Sequence, residues 1–317
     1  MAGKIKTYLV RPLRNKIIYY FFYVLLHIGT LMPRKFLLCM NGAIASLVYR
    51  LSPHLKSQIS NNLTIAYNDE LDEEEKRQIG KRLIVTLTKT ITDYGLFWKF
   101  KTWEKFGKYC SVEGIENLKN AYDKGRGVIC LVPHTVGWEF SAIFPPQLGF
   151  TTFAVSSRIH NAALNKLMVD LRESRRMRNV TRDHCYDTLI EGLKNKECLI
   201  IMIDQDSHHI RGEFLNFFGK SAYTPLGCAR LAYDTGAVVM PMYTVRTDDD
   251  KYIFKILQEV PFEMKEEKNA SLTYNTQIYN DIIESIVREY PDQWLWIHDR
   301  WKTTPESLAE YLKRKGK

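Results

Sequence analysis

The stretch VICLVPHTVGWE, residues 128–139, joins an apolar run to a histidine and a carboxylate. The run is typical of a buried β-strand, and the residues from Trp138 onward are typical of a helix. His134 and Glu139 lie five positions apart at this junction. Loops that follow strands are where α/β folds place chemistry. The stretch therefore predicts a fold class and a candidate site together.

On both sides of this stretch, short apolar runs alternate with amphipathic segments. The pattern predicts strands at 128–132, 152–155, 199–203, 238–245 and 252–257. It predicts helices from residue 138 and at 162–176, 183–194, 225–235 and 272–289. Such alternation indicates an α/β fold whose central sheet is flanked by helices.

The N-terminal third is helical in pattern and begins with an apolar segment. Residues 17–33 carry no formal charge and follow five Lys or Arg residues. As a helix, the segment is roughly 25 Å long, near the lower limit for a bilayer core. It is predicted to attach the chain to a membrane, by spanning it or by lying at its surface; the alternative is a buried helix of a soluble protein. Residues 36–98 continue with helical spacing, and Pro53 breaks the pattern.

These features predict an anchor and helical annex at 1–105 and a catalytic domain at 106–317, or one continuous domain from about residue 35. The net charge of +9 indicates an anionic partner, such as nucleic acid, phospholipid headgroups or an acidic carrier protein. The six scattered cysteines include no Cys-x-x-Cys pair, as expected of reduced thiols in a domain that faces the cytoplasm. The sequence has no Gly-rich phosphate-binding motif that would indicate nucleotide binding.

A histidine with a carboxylate behind it can take a proton from a hydroxyl at neutral pH. His134 and Glu139 therefore suit a general base and its orienting acid, although the same pair also suits a helix cap and a first-turn acid. A serine elbow or nucleophilic cysteine is absent from the neighbouring sequence. The arrangement favours direct transfer to a hydroxyl over a covalent intermediate.

Two further groups of residues are candidates for binding. Arg172, Arg175 and Arg176 fall at helical spacings of three and four, so they are predicted to bind phosphates or an acidic carrier protein, or else to form a solvated face. Aromatic residues are not interleaved with this run, which argues against nucleic acid. The second group is a candidate metal site, whose ligands would be Asp204, Asp206, His208 and His209. The favoured alternative is that Asp204 and Gln205 hold the loops by hydrogen bonds.

The motifs also resemble those of one family. His134 and Glu139 match the His-x4-Asp/Glu motif of glycerolipid-type acyltransferases, and the chain looks specifically like the lipid A biosynthesis acyltransferase family. Further blocks of that family are matched in order at 156–161, 204–206, 214–219, 224–232 and 293–302. The sequence departs from the family pattern at Val136, Ile159, Ala162, His208 and His209, so the resemblance leaves the choice of acceptor lipid open.

The resemblance implies a mixed central sheet and transfer of a fatty acyl chain from an acyl thioester to a hydroxyl of a lipid A precursor or related glycolipid. Acyl carrier protein or acyl-CoA would be the donor, and no cofactor or metal would be needed. His134 would be the base and Glu139 its orienting acid. Arg158 would bind an acceptor phosphate or the oxyanion. The remaining candidate substrate-binding residues are Asn161, Arg175, Arg176, Asp204, Gln205 and Asp206.

The resemblance places the protein at the cell inner membrane, with the catalytic domain facing the cytoplasm. Three alternatives stay open. The acceptor is another lipid, such as a phosphatidylinositol mannoside or an aminolipid; the dyad belongs to a hydrolase; or the chain is a basic membrane-surface scaffold without catalysis.

Overall fold

The computed structural model describes residues 20, 24, 29, 31–157, 159, 161–182 and 185–316 of the chain. The apolar segment 17–33 lies largely outside those residues. Within the described part, no single helix is long and apolar enough to cross a membrane. The helices Arg34–Leu51 and Pro53–Glu70, bent by 84° at their break, meet that test only as a pair. Membrane attachment stays a prediction.

The described N-terminal region contains the long helices α1 (Arg34–Leu51), α2 (Pro53–Tyr67) and α3 (Glu73–Leu96). The predicted break at Pro53 is confirmed, because Pro53 opens α2 and the Ser52 side chain caps it. Asp72 and Glu75 form a reciprocal capping box at the start of α3. The helical pattern read at 36–98 is therefore correct.

The strands and helices of the sheet region follow along the chain. The strands are β1 (Cys110–Glu113), β2 (Val128–Leu131), β3 (Thr152–Ser156), β4 (Met177–Thr181), β5 (Cys198–Ile201), β6 (Gly212–Phe217), β7 (Lys220–Pro225), β8 (Val238–Arg246) and β9 (Tyr252–Ile256). The helices are α4 (Trp103–Phe106), α5 (Ile115–Asp123), α6 (Trp138–Gln147), α7 (Ala162–Glu173), α8 (Tyr186–Lys194), α9 (Gly227–Thr235), α10 (Lys268–Glu289) and α11 (Pro305–Arg314).

Seven strands form the central sheet in the order β1-β9-β8-β2-β5-β3-β4. Neighbouring strands from β8 to β4 are parallel, whereas β8 and β9 are antiparallel, so the sheet is mixed as predicted. Every residue of β2 is buried, as expected where helices cover both faces of a parallel sheet. Strands β6 and β7 form a separate hairpin.

All five predicted strands are present, with ends that shift by one or two residues. The sequence pattern missed β1, β4 and the hairpin. The helix predicted at 162–176 was too long at its end: α7 ends at Glu173, three residues before the predicted end. Strand β4 begins only four residues later, at Met177. The short connection leaves no room for a further helical turn.

The N-terminal helices share a hydrophobic core with the sheet. Leu63 of α2 and Leu83 of α3 are fully buried in the same cluster as Ile129 and Leu131 of β2. Burial of such side chains is the main force that holds helices to a sheet. The domain boundary near residue 105 stays a prediction, and the annex packs directly against the layer that carries the site.

Candidate active site

The candidate site lies at the carboxyl edge of the parallel strands. His134 is three residues beyond the end of β2, and Asp204 is three residues beyond the end of β5. Strands β2 and β5 are parallel neighbours, so their carboxyl ends meet at the same edge. The fold therefore brings together two side chains that are seventy positions apart in sequence.

His134 and Asp204 are in direct hydrogen-bond contact. The His134 Nδ1 atom lies 2.7 Å from Asp204 Oδ1. The backbone N–H of His134 donates to Asp204 Oδ2 at 2.7 Å, and the indole N–H of Trp294 donates to the same oxygen at 2.8 Å. The Asp204 side chain is fully buried, whereas that of His134 keeps 17% of its surface exposed. A substrate can reach the ring, and the carboxylate behind it is sealed from water.

The electrostatics keep Asp204 ionised. Burial by itself raises the pKa of this carboxyl group, but the charge of His134 and the hydrogen bonds from His134 and Trp294 outweigh it and lower the pKa to about 2. An ionised carboxylate only accepts hydrogen bonds, so Nδ1 of His134 carries the proton. Its Nε2 atom is then the ring nitrogen that can accept a proton from a substrate.

The loop between β2 and α6 is fixed from two sides. The Val136 N–H donates to the Gln293 carbonyl at 2.7 Å, and the Thr135 hydroxyl donates to the Thr244 carbonyl at 3.1 Å. A Cβ atom at Gly137 would lie 2.5 Å from the Thr244 carbonyl oxygen. Glycine is therefore required by close backbone approach to β8. This packing sets the position of His134.

Glu139 has a different partner from the predicted one. Its carboxylate forms a bidentate ion pair with Arg172 of α7, in which Arg172 Nε lies 3.0 Å from Oε2, and the indole N–H of Trp138 donates to Oε1 at 3.2 Å. The prediction that Glu139 orients the His134 ring is thus corrected, because Asp204 makes that contact. Glu139 lies in the first turn of α6, and its ion pair ties this helix to α7.

The C-terminal block folds across the site. The backbone N–H of Asp206 donates to Nε2 of His298 at 2.9 Å, and the Asp206 carboxylate accepts hydrogen bonds from the N–H and hydroxyl of Thr303. From α2, the Asn62 amide donates to the Trp296 carbonyl at 2.8 Å. The block thereby connects the loop after β5 with the N-terminal annex.

A sequence profile described as bacterial lipid A biosynthesis acyltransferase matches residues 5–303. The chain belongs to this family. It is therefore an O-acyltransferase, and the predicted family and enzyme class are confirmed.

Individual relatives of this acyltransferase differ in the acceptor that their names state. A lipid A biosynthesis palmitoleoyltransferase of Escherichia coli (strain K12) is 27% identical over 281 residues, 84% of this chain and 86% of that protein. A lipid A biosynthesis lauroyltransferase of the same strain is 22% identical over 281 residues, 87% and 89% of the two chains. A phosphatidylinositol mannoside acyltransferase of Mycolicibacterium smegmatis (strain ATCC 700084 / mc(2)155) is 24% identical over 201 residues, which are 62% of this chain and 64% of that one.

The predicted arginine cluster of the acyltransferase does not form one helix face. Helix α7 ends before Arg175, whose side chain turns inward, is fully buried and donates to the Tyr94 carbonyl at 2.9 Å. Arg176 has a left-handed backbone with φ of 64° and is exposed. Arg172 is engaged by Glu139. The prediction of a shared binding surface is thus wrong, because the chain turns between Arg172 and Arg176.

The other predicted binding residues have varied places. Arg158 lies outside the described residues. The Asn161 side chain caps α7 by accepting from the N–H groups of residues 163 and 164. Gln205 is half-buried, while Asp206 holds the C-terminal block as described above. Within the described part of the chain, no group of three or more His, Cys, Asp or Glu residues is placed to hold a metal ion.

Sequence reasoning missed the role of three residues at the site. Trp294 is a hydrogen-bond donor to the carboxylate behind His134. His298 lies near enough to His134 for the two rings to interact electrostatically; burial, followed by the charge of His134, lowers the pKa of His298 below its ordinary value. Arg172 neutralises Glu139. The matched block at 293–302 was the signal for the first two, but spacing did not reveal their contacts.

Proposed function

We propose that this acyltransferase moves a fatty acyl chain from an acyl thioester to a hydroxyl of a lipid A precursor or related glycolipid. Acyl carrier protein is the favoured donor, and acyl-CoA is the alternative. The family and the names of the Escherichia coli relatives support the acceptor class. The observation that carries the chemistry is the 2.7 Å contact between Nδ1 of His134 and the buried Asp204 carboxylate.

In the proposed reaction, His134 acts as a general base. Its Nε2 atom takes the hydroxyl proton as the acceptor oxygen bonds to the thioester carbon, and Asp204 stabilises the imidazolium that forms. The tetrahedral intermediate then breaks its carbon–sulfur bond, and the imidazolium returns the proton to the thiolate. Transfer proceeds without an acyl-enzyme. Arg158 remains the predicted group for an acceptor phosphate or the oxyanion.

Glu139 contributes to the proposed site through position. Its ion pair with Arg172 joins the helix that follows His134 to α7, which begins directly after the matched block at 156–161. The side chains of both partners are mostly buried, at 14% and 18% exposure. Separating them would leave an unpaired buried charge next to the His134 loop. Glu139 is thus a positioning residue in this proposal.

We place the reaction at the cytoplasmic face of the cell inner membrane, where a lipid acceptor resides. The described cysteines are free thiols, and four of the six are buried, which suits a reducing compartment. A phosphatidylinositol mannoside is the second candidate acceptor, because the Mycolicibacterium smegmatis relative carries that name. An aminolipid acceptor is a further alternative.

The test combines lipid mass spectrometry with a purified reaction. Cells that carry the gene should contain one lipid heavier by a single acyl unit than cells without it, and this lipid identifies acceptor and chain length. Purified protein should acylate the lighter lipid with acyl carrier protein thioester. His134→Ala should lower kcat by roughly 10²–10⁴-fold, the usual contribution of a general base. Release of free fatty acid without acceptor acylation would identify a hydrolase instead.

A further inference from the structure

Helix α1 has a buried face and an exposed apolar face. Leu38, Ala45 and Tyr49 are buried in the protein. On the other side, large apolar side chains at spacings of three and four are 38–70% exposed: Phe36, Met40, Ile44, Leu47, Val48 and Leu51. Single exposed apolar residues are ordinary, but a contiguous row marks an interaction surface. We call these six residues the α1 face.

The charge of the N-terminal region restricts the partner of the α1 face. Residues 1–68 contain nine Lys or Arg and no Asp or Glu, whereas residues 69–317 contain 36 of each class. The whole formal net charge of +9 therefore belongs to the segment that carries the α1 face. Lys35 and Arg50 of α1 are themselves exposed. A second copy of this face would meet like charge, whereas a surface that is both apolar and anionic is complementary.

Helix α1 is held firmly at its first residue. Arg34 donates from Nε and Nη2 to the two oxygens of Asp93, each at 2.7 Å, and Asp93 is fully buried. Arg246 of β8 donates to the same carboxylate at 2.8 Å. A bidentate, buried ion pair fixes orientation as well as distance. The α1 face is thus presented in a fixed direction relative to the sheet.

We propose that the α1 face lies in the plane of a bilayer surface rich in anionic lipid. Its apolar side chains enter the headgroup and acyl boundary while the neighbouring basic residues meet the lipid phosphates. This surface is distinct from the predicted anchor at 17–33, although it is continuous with it in sequence. The inference rests on the proposed function only in that the acceptor is a lipid.

One experiment measures insertion of helix α1 from a position next to the α1 face. Cys39 is exposed on α1, and four other cysteines are buried. In full-length Cys185→Ser protein, an environment-sensitive fluorophore on Cys39 should shift to the blue on vesicles of phosphatidylcholine with phosphatidylglycerol and be quenched by lipid-attached quenchers. A label on Met264→Cys, introduced with Cys39→Ser, is the control, because Met264 is 65% exposed outside this face.

The label distinguishes the possible occupants. An unchanged Cys39 signal on protein that sediments with the vesicles would overturn the proposal, since 17–33 alone would then hold the chain. An equally blue signal without vesicles would also overturn it, because the chain itself or a second copy would cover the face.

A second experiment introduces negative charge into the α1 face to weaken its binding to the bilayer. Ile44→Glu with Leu47→Glu changes two exposed positions and should lower partition onto anionic vesicles roughly tenfold, with a smaller change on phosphatidylcholine alone. Met264→Glu is the matched control and should bind as the wild type does. Acyl transfer to acceptor dispersed in detergent should be unchanged in both variants, so failure of this inference is distinguishable from failure of the proposed function. Equal partition of all three proteins would contradict the proposed docking surface.

Discussion

Two carboxylates beside the same loop, Asp204 and Glu139, differ in the kind of cation that they contact. Asp204 is fully buried and contacts the titratable ring of His134, while Glu139 pairs with the permanent charge of Arg172. Proton transfer needs a partner that changes its charge during the reaction, and a guanidinium stays protonated throughout. The contact, more than the spacing in the motif, therefore separates the proposed catalytic carboxylate from the positioning one.

The pKa values express the same difference. The pKa of Asp204 falls to about 2 although burial opposes this, because His134 and Trp294 stabilise the ionised form. Burial lowers the pKa of Arg172, but Glu139 more than offsets it, so the net change is upward. Asp204 is therefore ionised at neutral pH, and of the two pairs only that of His134 and Asp204 contains a ring that can exchange a proton with a substrate.

Of the substitutions at the two carboxylates, Asp204→Asn should have the largest effect on activity. The amide retains the shape of the side chain, but a neutral group at Nδ1 no longer stabilises the imidazolium and favours the wrong ring tautomer. We expect kcat to fall roughly 10²–10⁴-fold with little change in KM, and the pH dependence of kcat to move. Steady-state assays with acyl carrier protein thioester measure both.

Glu139→Gln should give a smaller and different effect. Loss of the carboxylate leaves Arg172 buried without its ion-pair partner, so the free energy of unfolding should fall by about 3 kcal/mol. The His134 loop would lose support, and kcat should fall without a change in its pH profile. Thermal unfolding in detergent and a pH series of kcat provide the two measurements.

The double variant Glu139→Gln with Arg172→Met is the control for this pair. Removing both charges together should recover part of the stability lost in either single variant, because neither charge is left unpaired. If Glu139→Gln shifts the pH profile as Asp204→Asn does, and leaves stability intact, the two roles assigned here are reversed.

The sequence was sufficient to predict the strands and helices that have a strong hydrophobic pattern. The runs that became β2, β5 and β8 are almost continuously apolar, since the strands are buried on both faces. Strand β4 was missed because its sequence, MRNVT, is mostly polar and only its first residue is buried at the sheet edge. The β6–β7 hairpin contains polar residues and alternates only weakly. Edge elements depend on tertiary contacts that a local pattern does not contain.

The sequence predicted only part of the site, for a related reason. His134 was recognisable because its motif is local, and the loop after β5 was recognisable as a matched block. The assignment of the orienting acid failed because Asp204 is distant in sequence and reaches the ring through the parallel pairing of β2 and β5. The prediction for Arg175 was wrong for the opposite reason: local spacing placed it on a helix face, but α7 ends two residues earlier, at Glu173, and the Arg175 side chain is buried.

Substitution of His298 should give the smallest effect. It tests whether the His298 ring supports the pair of His134 and Asp204. Its Nε2 atom accepts the Asp206 N–H, so protonation would remove that acceptor. Burial and the charge of His134 lower its pKa below the ordinary value of 6.5 in the folded protein. The unfolded chain therefore takes up this proton at higher pH than the folded chain does. The stability from this group is complete above about pH 6.5 and is lost as pH falls toward the folded pKa.

The expected slope of this loss is at most about 1.4 kcal/mol per pH unit. His298→Gln keeps an oxygen that can accept from Asp206 but does not titrate, so the difference in unfolding free energy between wild type and variant should narrow as pH falls below 6.5. Denaturant unfolding in detergent between pH 5 and pH 8 measures this. Parallel curves for the two proteins would mean that the neighbourhood of His298 does not distinguish its protonation states. Asp204, with its hydrogen bond from Trp294, would then support His134 without a contribution from the His298 ring.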